Sequence, residues 1–158
     1  MENGKIKKFM VLFNDTLSNY QIPKYDEKGY VTQIDLYTPK DSLFAKSIIT
    51  NDAKGNYIKF ENQDSKGNIR GKYLITRDVN SLITRREIYN KADSLIYVEN
   101  NYYGDNHLMV NQESFRKGKP NPKWSYKYTY YPEGNWETQI ASKEGKPMLF
   151  VERTYVYY

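Results

Sequence analysis

Between residues 51 and 76 the chain makes nearly the same statement twice. Asp52-Ala53-Lys54-Gly55-Asn56-Tyr57 is followed by Asp64-Ser65-Lys66-Gly67-Asn68-Ile69, so an Asp-x-Lys-Gly-Asn-apolar unit returns after 12 residues. A type I turn favours Asp, Asn or Ser at its first position and Gly at its fourth. That Gly takes the left-handed conformation and lets the chain rejoin a ladder as a bulge. Turn signals this close leave room for a strand of about 8 or 9 residues between them and for no long helix. The constraint is therefore a series of β-hairpins.

The same turn chemistry runs along most of the chain. Asp26-Glu27-Lys28-Gly29 and Ser142-Lys143-Glu144-Gly145 fit it, and Tyr131-Pro132-Glu133-Gly134 fits with Pro at the second position, where its fixed φ is already correct. Thr38-Pro39-Lys40-Asp41 puts Asp in place of Gly, and Asp and Asn best tolerate the left-handed region. Marking that position in each unit gives Gly4, Asp15, Gly29, Asp41, Gly55, Gly67, Asn80, Asp93, Asn106, Gly118, Gly134 and Gly145. The spacing averages about 13, so two intervals make one hairpin unit.

Between the marks, side chains alternate as in half-buried strands. Trp124, Tyr126, Tyr128 and Tyr130 share one face, opposite Ser125, Lys127 and Thr129. Ile69, Gly71, Tyr73 and Ile75 oppose Arg70, Lys72 and Thr76. Two strands are apolar on both faces and read as covered on both sides. In the last, Leu149, Val151, Tyr155 and Tyr157 oppose Met148, Phe150 and Val156; near the start, Phe9, Val11 and Phe13 oppose Met10 and Leu12. The best helical candidate, Ser81 to Tyr97, carries β-branched residues and turn signals at Asn90 and Asp93. The expectation is one all-β domain spanning 1–158. It is an antiparallel meander of about 10 to 12 strands, curled into a barrel-like or deeply curved single sheet, its concave side filled by aromatic and aliphatic residues.

Composition agrees with sheets that keep one face wet. The chain has 17 Tyr, whose rings cover apolar surface while their hydroxyls stay in water. It has no Cys, which rules out disulfides and thiolate metal sites. No apolar run is long enough to span a membrane as a helix, and the first residues contain no apolar signal segment. Net charge is +5, with 24 basic residues interspersed among 19 acidic ones, a balance that suits plain solubility better than a polyanion partner. Asn3-Gly4-Lys5-Ile6 resembles a turn with no strand before it. Two readings stay open: a longer protein trimmed to its ordered part with a signal segment removed, or an N-terminal strand that frays.

These turn units resemble the tandem β-hairpin repeats of bacterial proteins. Tyr25-Asp26-Glu27-Lys28-Gly29, the two Asp-x-Lys-Gly-Asn units and Tyr131-Pro132-Glu133-Gly134-Asn135-Trp136 are similar to the tyrosine–aspartate (YD, or RHS-type) repeat. Glu2-Asn3-Gly4-Lys5-Ile6-Lys7 is similar to the MORN-type hairpin. The resemblance implies an exported or surface lipoprotein of unknown function and supplies no catalytic residues.

The chemistry-bearing residues are sparse. His107 is the only His and sits in the turn Gly104-Asp105-Asn106-His107, which argues against a triad or a His-based metal site. Asp26, Asp52, Asp64 and Asp78 lack the dense oxygen ligands of a calcium loop and read as residues holding their own turns. Gly67-Asn68-Ile69-Arg70-Gly71 lacks the Lys and the helix start of a phosphate loop. No catalytic, cofactor-binding or metal residues are therefore assigned. The most distinctive stretch is the basic segment running into an aromatic row. Arg116, Lys117, Lys119, Lys123, Trp124, Tyr126 and Tyr128 form the candidate ligand surface, which competes with a solvated loop followed by a strand whose aromatic face is core. The expected function is a non-enzymatic binding or structural module, periplasmic or at the cell surface if a signal segment was removed and otherwise cytoplasmic. No partner is assigned; a glycan or another protein ranks ahead of nucleic acid. The alternatives are a nucleic-acid-binding protein using residues 116–128 and a hydrolase with carboxylates inside the concave face.

Overall fold

Each turn signal is followed by a strand, and each strand pairs with the next. The structure, a computed structural model, describes residues 5–132 and 134–154. The Asn3-Gly4 turn, Glu133, Tyr155, Val156 and Tyr157 lie outside the described residues. The strands are β1 (Phe9–Phe13), β2 (Thr16–Tyr25), β3 (Val31–Tyr37), β4 (Leu43–Asn51), β5 (Tyr57–Asp64), β6 (Ile69–Arg77), β7 (Ile83–Asn90), β8 (Leu95–Tyr103), β9 (Met109–Arg116), β10 (Lys119–Pro120), β11 (Trp124–Tyr130), β12 (Trp136–Lys143) and β13 (Lys146–Glu152). All belong to one antiparallel sheet in sequence order, except that β10 and β11 both pair with β9. Ser81 to Tyr97 is β7, a turn and the start of β8, and the described residues contain no helix. No helix long and apolar enough to cross a membrane occurs among them, which says nothing of strands. Among the described residues β1 and β13 do not pair, so the meander is an open, curved sheet rather than a closed barrel.

Local hydrogen bonding dictates the turns. Eight loops share one pattern: the first residue's N–H donates to the fifth residue's carbonyl, and the fourth residue's N–H donates back to the first. They run Asp26–Tyr30, Thr38–Ser42, Asp52–Asn56, Asp64–Asn68, Asp78–Leu82, Asn90–Ser94, Gly104–Leu108 and Tyr131–Asn135. The fourth residue is left-handed at Gly29, Asp41, Gly55, Gly67, Ser81, Asp93, His107 and Gly134. Two expected marks thus move by one residue, from Asn80 to Ser81 and from Asn106 to His107. Corrected, the turns fall into register: Gly29, Gly55, Ser81 and His107 are spaced by 26 residues, and so are Asp41, Gly67 and Asp93. The repeating unit is a hairpin of 26 residues.

Three other connections differ. Asn14-Asp15, Lys117-Gly118 and Glu144-Gly145 are two-residue loops with both φ positive, the type I′ geometry that matches strand twist. Ser142 and Lys143 therefore lie in β12 rather than opening a type I turn, with Lys143 paired to Lys146. The long interval before Gly134 also finds its cause. β10 and β11 are one strand interrupted at 121–123, where Pro120 ends β10 and Pro122 sits inside the break, and neither can donate to the ladder.

Among the described residues every strand touches only its neighbours in the sheet, and no second layer forms a core. Among the described residues the buried ones are Tyr20, Pro23, Asp35, Ile49, Glu99, Asn101 and Ala141, of which three are charged or amide side chains. Apolar contact comes instead from rows across the strands. On the first face one row runs Ile49, Phe60, Tyr73, Ile88, Tyr97, each directly opposite the next. The second face carries charge. Asp35, Glu61, Glu87 and Glu113 repeat at 26-residue spacing, paired with Lys24 at 2.8 Å, Lys59 at 3.0 Å, Arg85 at 2.8 Å and Lys123 at 2.8 Å.

The terminal strands correct a sequence expectation. β1 and β13 are not covered: Met10, Leu12, Phe13, Met148, Leu149 and Phe150 are all exposed. They are the two edges of the sheet, and loss of alternation there reflects apolar residues on both faces rather than burial of both.

Candidate functional site: a groove on the aromatic face

The row from Phe60 to Tyr97 borders a hollow. Tyr57, Phe60 and Asn62 from β5, Tyr73 and Ile75 from β6, Arg86 and Ile88 from β7, and Tyr97 and Glu99 from β8 line a cavity of about 410 Å³. All nine side chains come from four consecutive strands, so the sheet itself is dished here. The volume falls in the usual range for small-molecule sites. Tyr57 and Phe60 meet edge to face at 5.0 Å between ring centres. The Arg77 guanidinium lies 4.9 Å from the centre of the Tyr57 ring and fixes that wall from outside.

In the groove and beside it, two polar residues stand where earlier units carry apolar ones. Arg86 occupies the position held by Ile34 and Phe60 in earlier units, and Asn101 the position held by Ile49 and Ile75. Glu99 continues a mixed column, Gln21, Ser47 and Tyr73, that is already polar in the first two units. These residues form one network. Arg86 Nη1 lies 3.4 Å from Glu99 Oε1, the Tyr97 hydroxyl donates to Glu99 Oε2 at 3.2 Å, and the Asn101 amide donates to Glu99 Oε1 at 3.2 Å. Asn101 also donates to the Ile83 carbonyl at 3.0 Å and accepts from the Gln112 amide at 3.1 Å. Glu99 and Asn101 are 8% and 5% exposed, and burying such groups is tolerable only because each is bonded. Burial pushes the Tyr126 phenol up, with the nearby Tyr128 and Glu99 adding to the shift. Tyr103 is likewise pushed up by burial.

The surface expected from sequence is divided by the structure. Arg116 ends β9, Lys117 and Gly118 form the type I′ turn, and Lys119 lies in β10; all are exposed. Trp124 and Tyr126 stand opposite Gln112 and Ala141 respectively, so with Tyr128 they are on the first face, continuous with the groove and half-buried. Tyr128 donates its hydroxyl to the Met109 carbonyl at 3.0 Å and packs edge to face on Trp136. Lys123 points to the second face, where it binds Glu113; this bond raises the Lys123 ammonium and lowers the Glu113 carboxyl from their ordinary values. Lys123 thus leaves the aromatic face, whereas Arg116 stands directly opposite Tyr97 and Lys119 opposite Arg116 on the first face.

The repeated Asp residues hold turns. Asp52 Oδ1 accepts from the N–H groups of Lys54 and Asn56 while Oδ2 accepts from the Asn56 amide, and Asp64 does the same with Lys66 and Asn68. The Asn side chain is thus the reason Asn follows Gly in both units. Asp26 and Asp78 cap Tyr30 and Leu82 in the same manner. His107 is an exposed turn residue whose N–H donates to the Gly104 carbonyl at 2.9 Å. The groove residues were not singled out in the sequence; the signal that marks the site is the break in the 26-residue pattern at Arg86 and Asn101.

No protein-family model matches the chain, and no curated protein matches it. Among solved structures, the crystal structure of a porin-like protein from Bacteroides uniformis is similar, with a TM-score of 0.46 at 10% identity, covering 92% of this chain and 84% of that one.

Proposed function

We propose that the chain is a non-enzymatic binding module and that the first face of its sheet is the ligand surface. The observation that carries this is the polar network at the groove: Arg86 in its lining replaces Ile34 and Phe60, the buried Asn101 beside it replaces Ile49 and Ile75, and both bond to the buried Glu99. A repeat built only to persist would keep its apolar column, since buried polar groups add little stability even when satisfied. One carboxylate, Glu99, lines the groove, whereas glycoside hydrolysis by paired carboxylates needs two; this supports binding over hydrolysis. The engagement of Lys123 with Glu113 takes that one basic residue of 116–128 away from Trp124. The extracytoplasmic part of the reading, and kinship with YD- or MORN-type repeats, rest on the likeness of the turns and on the 26-residue hairpin unit.

Backbone amide mapping by NMR tests the reading. The full chain is titrated with a panel of oligosaccharides, peptides and oligonucleotides. Shifts gathered on Tyr73, Ile75, Arg86, Glu99 and their neighbours on the first face support it. Shifts confined to the second face or to the loop 116–123 would refute it.

A further inference from the structure

We propose that the groove binds a neutral saccharide, one ring stacked on the aromatic wall and adjacent hydroxyls read by Arg86 and Glu99. This rests on the first face being the binding surface. The charge in the groove is balanced: its one cation and one anion lie 3.4 Å apart. An anionic ligand would meet the Glu99 carboxylate and a cationic one the Arg86 guanidinium, so the balance favours an uncharged ligand. The hydrogen-bonding capacity, in contrast, is only partly used. Arg86 is 48% exposed at its side chain and has Glu99 as its one acceptor among the described residues, which leaves further N–H donors facing the hollow. Asn62 accepts from the Ser47 hydroxyl at 2.9 Å, and its own amide N–H groups have no acceptor among the described residues. The Tyr57 and Tyr73 hydroxyls are also without protein partners there, and both rings are exposed.

A purely apolar ligand would cover these donors without satisfying them, at a cost in affinity. A sugar ring meets every requirement. Two vicinal hydroxyls can answer a guanidinium and a carboxylate side by side, one accepting from Arg86 and the other donating to Glu99. The polarised C–H face of the ring is attracted to the negative face of an aromatic wall. The first face continues past β9 to Trp124 and Tyr126, so a longer glycan has further rings to stack on beyond the groove.

The test uses the full chain and isothermal titration calorimetry with cellohexaose, maltohexaose, chitohexaose and mannohexaose, alongside heparin, adenosine and a single-stranded DNA 12-mer as comparators. Amide mapping is run on any probe that binds. The expected result is binding of at least one neutral hexasaccharide, with shifts at Tyr73, Arg86 and Glu99. Tyr73→Ala and Arg86→Gln should each weaken it at least about tenfold, while Lys46→Ala on the second face leaves it unchanged. Thermal melts check that the variants fold, and Arg86→Lys keeps the charge if Arg86→Gln does not. Binding of heparin, adenosine or DNA alone would overturn the saccharide proposal while leaving the binding module standing. Sugar binding that maps only to Trp124 and Tyr126 would overturn the groove assignment. No first-face shift with any probe, including the broader panel, would overturn both.

Discussion

The column Gly29, Gly55, Ser81, His107 allows backbone strain to be measured within one molecule. Gly67, from the alternate column, has φ +88°, and a Cβ built there meets nothing within 4 Å. Gly67→Ala therefore reports the left-handed cost alone, about 1–2 kcal/mol, less the roughly 0.4–1 kcal/mol by which Ala restricts the unfolded chain. The net loss should be about 1 kcal/mol. Gly55 has φ +84°, but its Cβ would lie 2.2 Å from Cε1 of Tyr30. The ring must swing away and lose part of its cover, adding about 1 kcal/mol, so Gly55→Ala should cost about 2 kcal/mol. His107, at φ 62°, is exposed and predicts the opposite sign: His107→Gly should stabilise by about 0.5–1 kcal/mol. Urea unfolding at constant m-value reads all three. Equal costs at Gly55 and Gly67 would mean that Tyr30 does not pack there, and a destabilising His107→Gly would mean that the left-handed position is not His107.

Two further outcomes follow from charge and from the edges. Asn68 side-chain and backbone donors, with Lys66 and Arg70, hold the Asp64 carboxyl below its ordinary value; Asn56, first through its side chain, does the same for Asp52. A depressed folded-state pKa gives stability that is present above the unfolded value, near pH 4, and is lost as pH falls through the folded one. The double variant Asp52→Asn/Asp64→Asn should keep both turns, as Asn90 does in the same role, and flatten the fall of melting temperature below about pH 4; an unchanged acid limb would count against this source of the pH dependence. Leu12 and Phe150 are 60% and 61% exposed on edge strands, so Leu12→Lys/Phe150→Lys should cut light scattering at high concentration while shifting stability by less than about 0.5 kcal/mol. Unaltered scattering would show that the edges do not drive association.

The turns were legible in the sequence because each is decided by bonds within five residues. Asp52 and Asp64 bind the very N–H and amide groups that the repeated Lys-Gly-Asn supplies. The two misplaced marks have the same origin. Asn tolerates a left-handed φ better than Ser or His, so residue type favoured Asn80 and Asn106. The position is instead set by counting from the residue that opens the turn: Asp78 Oδ1 holds the N–H groups of Asn80 and Leu82, and Ser81 falls left-handed between them. The edges were misread because a strand apolar on both faces has one period whether both faces are covered or both are bare. The groove was hidden for a further reason. Phe60 faces Tyr73, Tyr73 faces Ile88 and Ile88 faces Tyr97 only because each intervening loop adds a one-residue bulge. A slip of one residue at any loop would turn the next strand's set to the other face. Arg86 stands directly opposite Glu99 across the Asn90–Ser94 turn, whose left-handed residue, Asp93, is the one that residue type marks. Moving the preceding mark from Asn80 to Ser81 sets β7 in register with β6, which puts this charged pair on the face that carries Tyr73 and Ile88.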